Sequence, residues 1–222
     1  MNLSDSMKFV LKNKGPNLLA DFWHQDIKGI LKDFKRDLFK VLAQAPRDKS
    51  SFKAGLYELK DMAKDAMVVV GELPSRVKLG FSIFRDEVLE ELDKIEDPKK
   101  KTIFCLRIAG ALTSFAVTAI YGVKTAKKEI KISGLANRKA FTQFIVAELA
   151  LRMSHFFVLR FLREVEKQMD NPEELKKIRF FKKMLSSKPT GNELNDLPEE
   201  NDSDPAFRIV NNLNNYILTG KK

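Results

Sequence analysis

Cysteine is almost absent from this chain, and its one thiol, Cys105, lies inside the most apolar run. No internal disulfide can form, and a reducing compartment is the expected setting. Histidine is nearly as scarce. With only His24 and His155, a histidine-rich metal site is not available. There is no Gly-rich phosphate loop, no dinucleotide turn and no zinc-spaced cysteine set. Neither histidine stands in a recognisable motif with a serine or cysteine, so no catalytic residue, cofactor or metal is expected. Ten glycines and eight prolines in 222 residues leave long uninterrupted segments, and most prolines fall between periodic stretches, which favours long helices. The opening MNLSDSMKFVLKNKGPN lacks a continuous apolar core and a cleavage-site pattern, so secretion by a signal peptide is not expected. The expected location is the cytoplasm, with attachment to the inner face of a membrane left open.

The chain is rich in charge and in apolar side chains together, 32% and 44%, the composition of a folded chain with a sizeable core. Forty Lys and Arg against thirty Asp and Glu leave a formal charge of +10, so the surface should attract anions. After Gly15-Pro16-Asn17, residues Trp23, Ile27, Leu31, Phe34, Leu38 and Val41 alternate by fours and threes, one apolar stripe of a helix reaching about Ala45. Ala45-Pro46 stops it. A second helix carries Phe52, Leu56, Leu59 and Ala63 and ends in Met67 to Val70, before Pro74 interrupts the chain. Val77, Phe81, Phe84, Val88, Leu92 and Ile95 then resume the stripe as far as Asp97-Pro98.

Asp97 and Pro98 suit the cap and first turn of a long helix running to about Ile132. A turn at Ser133 to Asn137 joins it to a second long helix from about Arg138 to Met169. Asp170-Asn171-Pro172-Glu173-Glu174 reads as cap, proline and early acids of another, ending near Ser187. Residues 189–204 hold Glu193, Asp196, Glu199, Glu200, Asp202 and Asp204 and no base, an acidic linker. Asp204-Pro205 starts a short terminal helix over 205–222 with Phe207, Val210, Leu213 and Ile217 on one side. The expected architecture is therefore all-α: a bundle of about six or seven helices over residues 1–188 around a central hairpin of 98–132 and 138–169. Its core candidates are Trp23, Phe34, Phe84, Val88, Phe115, Ile120, Phe144 and Phe157.

The run Ile103 to Val123 holds one charge, Arg107, in twenty-one residues. It is long enough to span a bilayer, which takes about 20 apolar residues. Its partner segment, Phe141 to Leu162, carries Glu148, Arg152, His155 and Arg160, which are costly at a bilayer centre. A single span would also place basic segments on both sides, against the positive-inside tendency. A hairpin that dips into one leaflet avoids this topological conflict, and so does burial inside a soluble bundle.

Two sets of residues stand out as candidate sites. Glu148, Arg152 and His155, at i, i+4 and i+7, share one helical face as a buried polar cluster, either a proton-handling site or simply an intrahelical ion pair. The second set is basic: Lys99, Lys100, Lys101, Lys124, Lys127 and Lys128 flank the apolar run, and Lys176, Lys177, Arg179, Lys182 and Lys183 interleave with phenylalanines in ELKKIRFFKKMLSSK. Such a basic amphipathic surface suits an anionic membrane or an acidic protein partner. Nucleic acid ranks third, because the aromatics sit at core spacing and no recognition motif is present. The adjoining acidic segment has the charge to fold back over the basic helix. The functional expectation is a non-catalytic binding protein at an anionic membrane surface on the cytoplasmic side, or alternatively a soluble module gripping an acidic partner.

Overall fold

A computed structural model describes residues 1–21, 27–44, 75–133, 138–186 and 203–219, with the isolated residues 25, 72 and 201. The expectations for Trp23, the Ile120 side chain, the helix through 52–70, the turn at 134–137 and the acidic stretch 189–200 lie outside them. The architecture is an all-α multi-helix bundle, with no strand among the described residues. In chain order the helices are α1 (Leu3–Phe9), a π-helical turn (Val10–Lys14), α2 (Gly15–Asp21), α3 (Ile27–Gln44), α4 (residues 75–94), α5 (Pro98–Ser133), α6 (Arg138–Gln168), α7 (Pro172–Ser186) and α8 (Pro205–Thr219).

The caps explain where the long helices begin. The Asp97 carboxylate accepts from the Lys99 N–H at 2.8 Å, Asn171 Oδ1 from Glu173 at 3.1 Å, and Asp204 Oδ1 from Ala206 at 2.9 Å. Each cap precedes a proline, whose missing N–H costs nothing in a first turn. All three junctions are those expected from the sequence.

The first helix was not expected. Leu3, Met7, Val10 and Leu11 are fully buried at i, i+4, i+7 and i+8, and Asn2 caps their helix by accepting from the Asp5 N–H at 2.9 Å. Gly15-Pro16, after which the sequence pattern places its first helix, does not break the chain. Pro16 lacks the N–H that would close the preceding α-turn, and the chain takes the wider π-turn through Val10–Lys14 just before it. Gly15 meets α4 closely: a Cβ there would lie 2.9 Å from the Phe81 ring.

Helix α5 is the centre, packing along α6 and also against α1, α3, α7 and α8. Phe104, Cys105, Ile108, Ala109, Leu112 and Ala116 join one core with α1, α4, α6, α7 and α8. Small residues there let neighbouring helices approach, and the buried Thr113 hydroxyl donates to the Ala109 carbonyl at 2.8 Å, which satisfies it inside the helix. The helix is long and apolar enough to cross a membrane, yet 59% of its most apolar window is buried against the rest of the chain.

Phenylalanines at i, i+3 on α4 and i, i+4 on α6 interlock. Phe81 meets Phe157 edge-on at 5.3 Å, Phe84 meets Phe161 edge-on at 6.3 Å, and Phe157 stacks on Phe161 at 6.5 Å. Among the core candidates, Phe84, Val88, Phe144 and Phe157 are buried. Phe34 and Phe115 are only half-buried. Phe115 lies beside Ser114 and Thr118 on the open side of α5, and Phe34 shares its side of α3 with two aspartates. The terminal helix docks on the body, where Phe207, Val210 and Leu213 enter the same core.

Candidate functional site

The polar cluster turns out to be wider than one helix. Arg152 Nε donates to Glu148 Oε1 at 2.8 Å and its Nη2 to the same oxygen at 2.6 Å. That Nη2 also donates to Asp37 Oδ2 at 2.8 Å, and Nη1 lies 3.5 Å from Asp33 Oδ2. Lys127 Nζ stands 3.9 Å from both Asp37 and Glu148, and 5.5 Å over the Phe144 ring. Arg36 bridges the two aspartates, 3.0 Å from Asp33 and 3.5 Å from Asp37, so three carboxylates and three cations from α3, α5 and α6 neutralise one another around a Glu148 side chain that is 2% exposed.

Burial alone would push the Asp37 carboxyl up, but Lys127, Arg152 and Arg36 outweigh it and hold it below the usual range. His155, one turn beyond Arg152, is half-buried. Burial first, then Arg163 and Arg152, holds its imidazole below its usual value. Among the described residues no group of three or more His, Cys, Asp or Glu is arranged to hold a metal ion. With one guanidinium donating to Glu148 and Asp37 and lying beside Asp33, the cluster serves as an ionic staple of three helices.

The basic residues separate into groups. Lys99, Lys100 and Lys101 start α5, while Lys124 and Lys128 lie near its other end, about 35 Å away at 1.5 Å per residue. Lys127 belongs to the staple. Lys124 sits 5.0 Å over the Tyr121 ring. On α7, Arg179 and Lys182 both bind Glu166 of α6, whose carboxyl burial would raise but Lys182 and Arg179 lower. They hold α7 to α6 and are not spare cations. Lys183 is exposed, whereas Ile178, Phe181, Met184 and Leu185 face the core.

One surface remains where cations from two helices meet. Glu174 in the first turn of α7 accepts from the Leu3 N–H at 2.7 Å and from the Thr102 hydroxyl at 3.3 Å, which brings the starts of α1, α5 and α7 together. Beside this junction an open cleft of about 430 Å³ is lined by Ile103, Leu106 and Arg107 of α5 and by Lys176, Lys177, Phe180 and Phe181 of α7. Ile103 is 50% exposed. Lys99 and Lys100 stand one turn before it, on the same side of the helix. Lys176 pairs with Glu173 at 2.8 Å, and Arg107 with Asp204, the cap of α8, at 2.9 Å. Lys99, Lys100 and Lys177 make no ion pair among the described residues.

Arg107, the single charge of the apolar run, therefore anchors the terminal helix. Of the acidic segment, Asp204 is the residue whose contact with the basic surface is described. Asp33, Asp37, Glu166 and Glu174 were missed in the sequence. The available signal was the spacing of Asp33 and Asp37, i and i+4 on the same side as Ile30 and Val41, the core-facing side on which an amphipathic helix normally carries no acid.

Comparison with protein-family models, with curated proteins and with solved structures finds no match. The class defined by the fold is an all-α helical bundle, and its function must be read from its own surface.

Proposed function

We propose that this chain is a non-catalytic binding protein that works at an anionic membrane surface, on the cytoplasmic side. The observation that carries the reading is a cleft lined by Lys177 and the half-exposed Ile103, with Lys99 and Lys100 one helical turn before Ile103 on the same side of α5 and none of the three lysines in an ion pair among the described residues. An apolar side chain and lysines outside any ion pair share one surface, the combination that headgroups above acyl chains satisfy. Each lysine near an anionic surface strengthens binding about fivefold.

The test is sedimentation of the full chain with vesicles. Binding should need phosphatidylserine mixed into the phosphatidylcholine and should weaken as salt shortens the screening length from about 10 Å at 0.1 M to about 3 Å at 1 M. Lys100→Gln with Lys177→Gln should weaken it about thirty-fold, the product of two such steps. Equal binding to neutral and anionic vesicles would defeat the electrostatic reading. No binding to either would point instead to an acidic protein partner for the same lysines.

A further inference from the structure

Attraction to an anionic surface needs only charge, yet this surface also has a cleft. Its walls are Ile103, Leu106, Phe180 and Phe181, the last two a tilted aromatic pair with centroids 5.8 Å apart. Its volume, about 430 Å³, falls in the range of small-molecule sites, about 300–1,000 Å³. Two of the cations on the rim, Lys176 and Arg107, are matched by Glu173 and Asp204, so a ligand charge is left to Lys99, Lys100 and Lys177.

The start of α5 adds to the positive field. Its first turn holds three lysines and no acid at the positive end of the helix dipole, against the acids Glu96 and Asp97 just before it and Glu174 at Thr102. The ligand that fits is apolar along its length and anionic at one end.

We propose that the α5–α7 cleft seats one acyl chain of an anionic membrane lipid, its headgroup held over Lys99, Lys100 and Lys177. This rests on the membrane-surface reading and goes beyond it by assigning the hydrocarbon a site. The chain lies along Ile103, Leu106 and Phe180, which gives Ile103 the apolar cover it lacks in the free protein. A sugar–phosphate backbone would match the lysines but leave these walls in water. Neutral lipid would match the walls but not the lysines.

The experiment places a reporter in the cleft: Ile103→Trp in a Trp23→Phe background, titrated with phosphatidylserine-containing vesicles whose acyl chains are plain or brominated. Loss of most of the introduced indole's emission with brominated anionic vesicles, and not with brominated neutral ones, is the expected result. Sedimentation with unchanged emission would overturn the cleft and leave the surface reading standing. Failure to sediment would overturn both. A blue-shifted emission that depends on protein concentration without lipid would place a second copy in the cleft and overturn the proposal. Independently of the reporter, Ile103→Ser should lose most anionic-vesicle binding while leaving every charge unchanged. Unchanged binding of that variant would also overturn it.

Discussion

Replacing Arg152 by Met removes the guanidinium while keeping an unbranched apolar stem in its place. The side chain is 14% exposed, and its main partner, Glu148, is 2% exposed, so water cannot rehydrate the carboxylate that is left behind. After the change, the nearest remaining cation is Lys127 at 3.9 Å, too far for a strong hydrogen bond. Asp37 and Asp33 lose one of the two arginines they share and keep Arg36. Breaking one side of a buried pair costs about 3–5 kcal/mol, against a total stability of about 5–15 kcal/mol for a typical domain.

Urea unfolding followed by far-ultraviolet circular dichroism reads this directly. With a slope of about 2–3 kcal/mol/M, the midpoint should fall by about 1–2 M. The cause is a stranded charge rather than lost volume, so adding Glu148→Gln to Arg152→Met should restore part of the loss. A cost of Arg152→Met below about 1 kcal/mol would show that the pair is solvated and worth no more than a surface bridge. A double variant worse than the single one would refute the staple as the reason Glu148 tolerates burial.

Phe161→Ala should cost about 3–5 kcal/mol in the same assay, because a fully buried ring in contact with Phe84 and Phe157 leaves a cavity between α4 and α6. Cys105 is fully buried, and burial pushes its thiol up to about 12, so Ellman's reagent should label it at pH 8 only as the protein unfolds. Immediate labelling of the native chain would refute its place in the core. His155 is held below the usual 6.5 by burial, Arg163 and Arg152, so the unfolded chain binds its proton first and stability should fall as pH drops through about 6.5. His155→Gln should flatten the stability profile between about pH 5 and 7, as measured by urea midpoints.

Helix boundaries were legible wherever local chemistry sets them. Asp97, Asn171 and Asp204 each combine a capping side chain with a following proline, and the backbone needs nothing from elsewhere in the chain to obey them. The burial of Phe84, Val88 and Phe157 followed from periodicity for the same reason. The N-terminal helix was also written locally, in Leu3, Met7, Val10 and Leu11, but Gly15-Pro16 drew the boundary to the wrong place. A proline loses one hydrogen bond, and a π-turn just before Gly15, which packs against Phe81 of α4, absorbs that loss.

The charges were the hard part. Whether a lysine is spare depends on acids remote in sequence: Glu166 takes Arg179 and Lys182, and Asp37 and Glu148 take Lys127. Glu148 and Arg152 were visible as an i, i+4 pair, whereas the two aspartates completing their network arrive from α3 through tertiary packing. Of the basic residues singled out from the sequence, Lys99, Lys100 and Lys177 gain their meaning only once α7 lies beside the start of α5.

Fractionation of native cells, with successive high-salt and alkaline carbonate washes of the membrane pellet, tests the proposed function most directly. A bundle that keeps α5 in its core and meets lipid through exposed lysines should be found on membranes and be released by salt. Persistence through carbonate would mean that Ile103 to Val123 leaves the core for the bilayer. Recovery entirely in the soluble fraction would contradict the membrane reading itself.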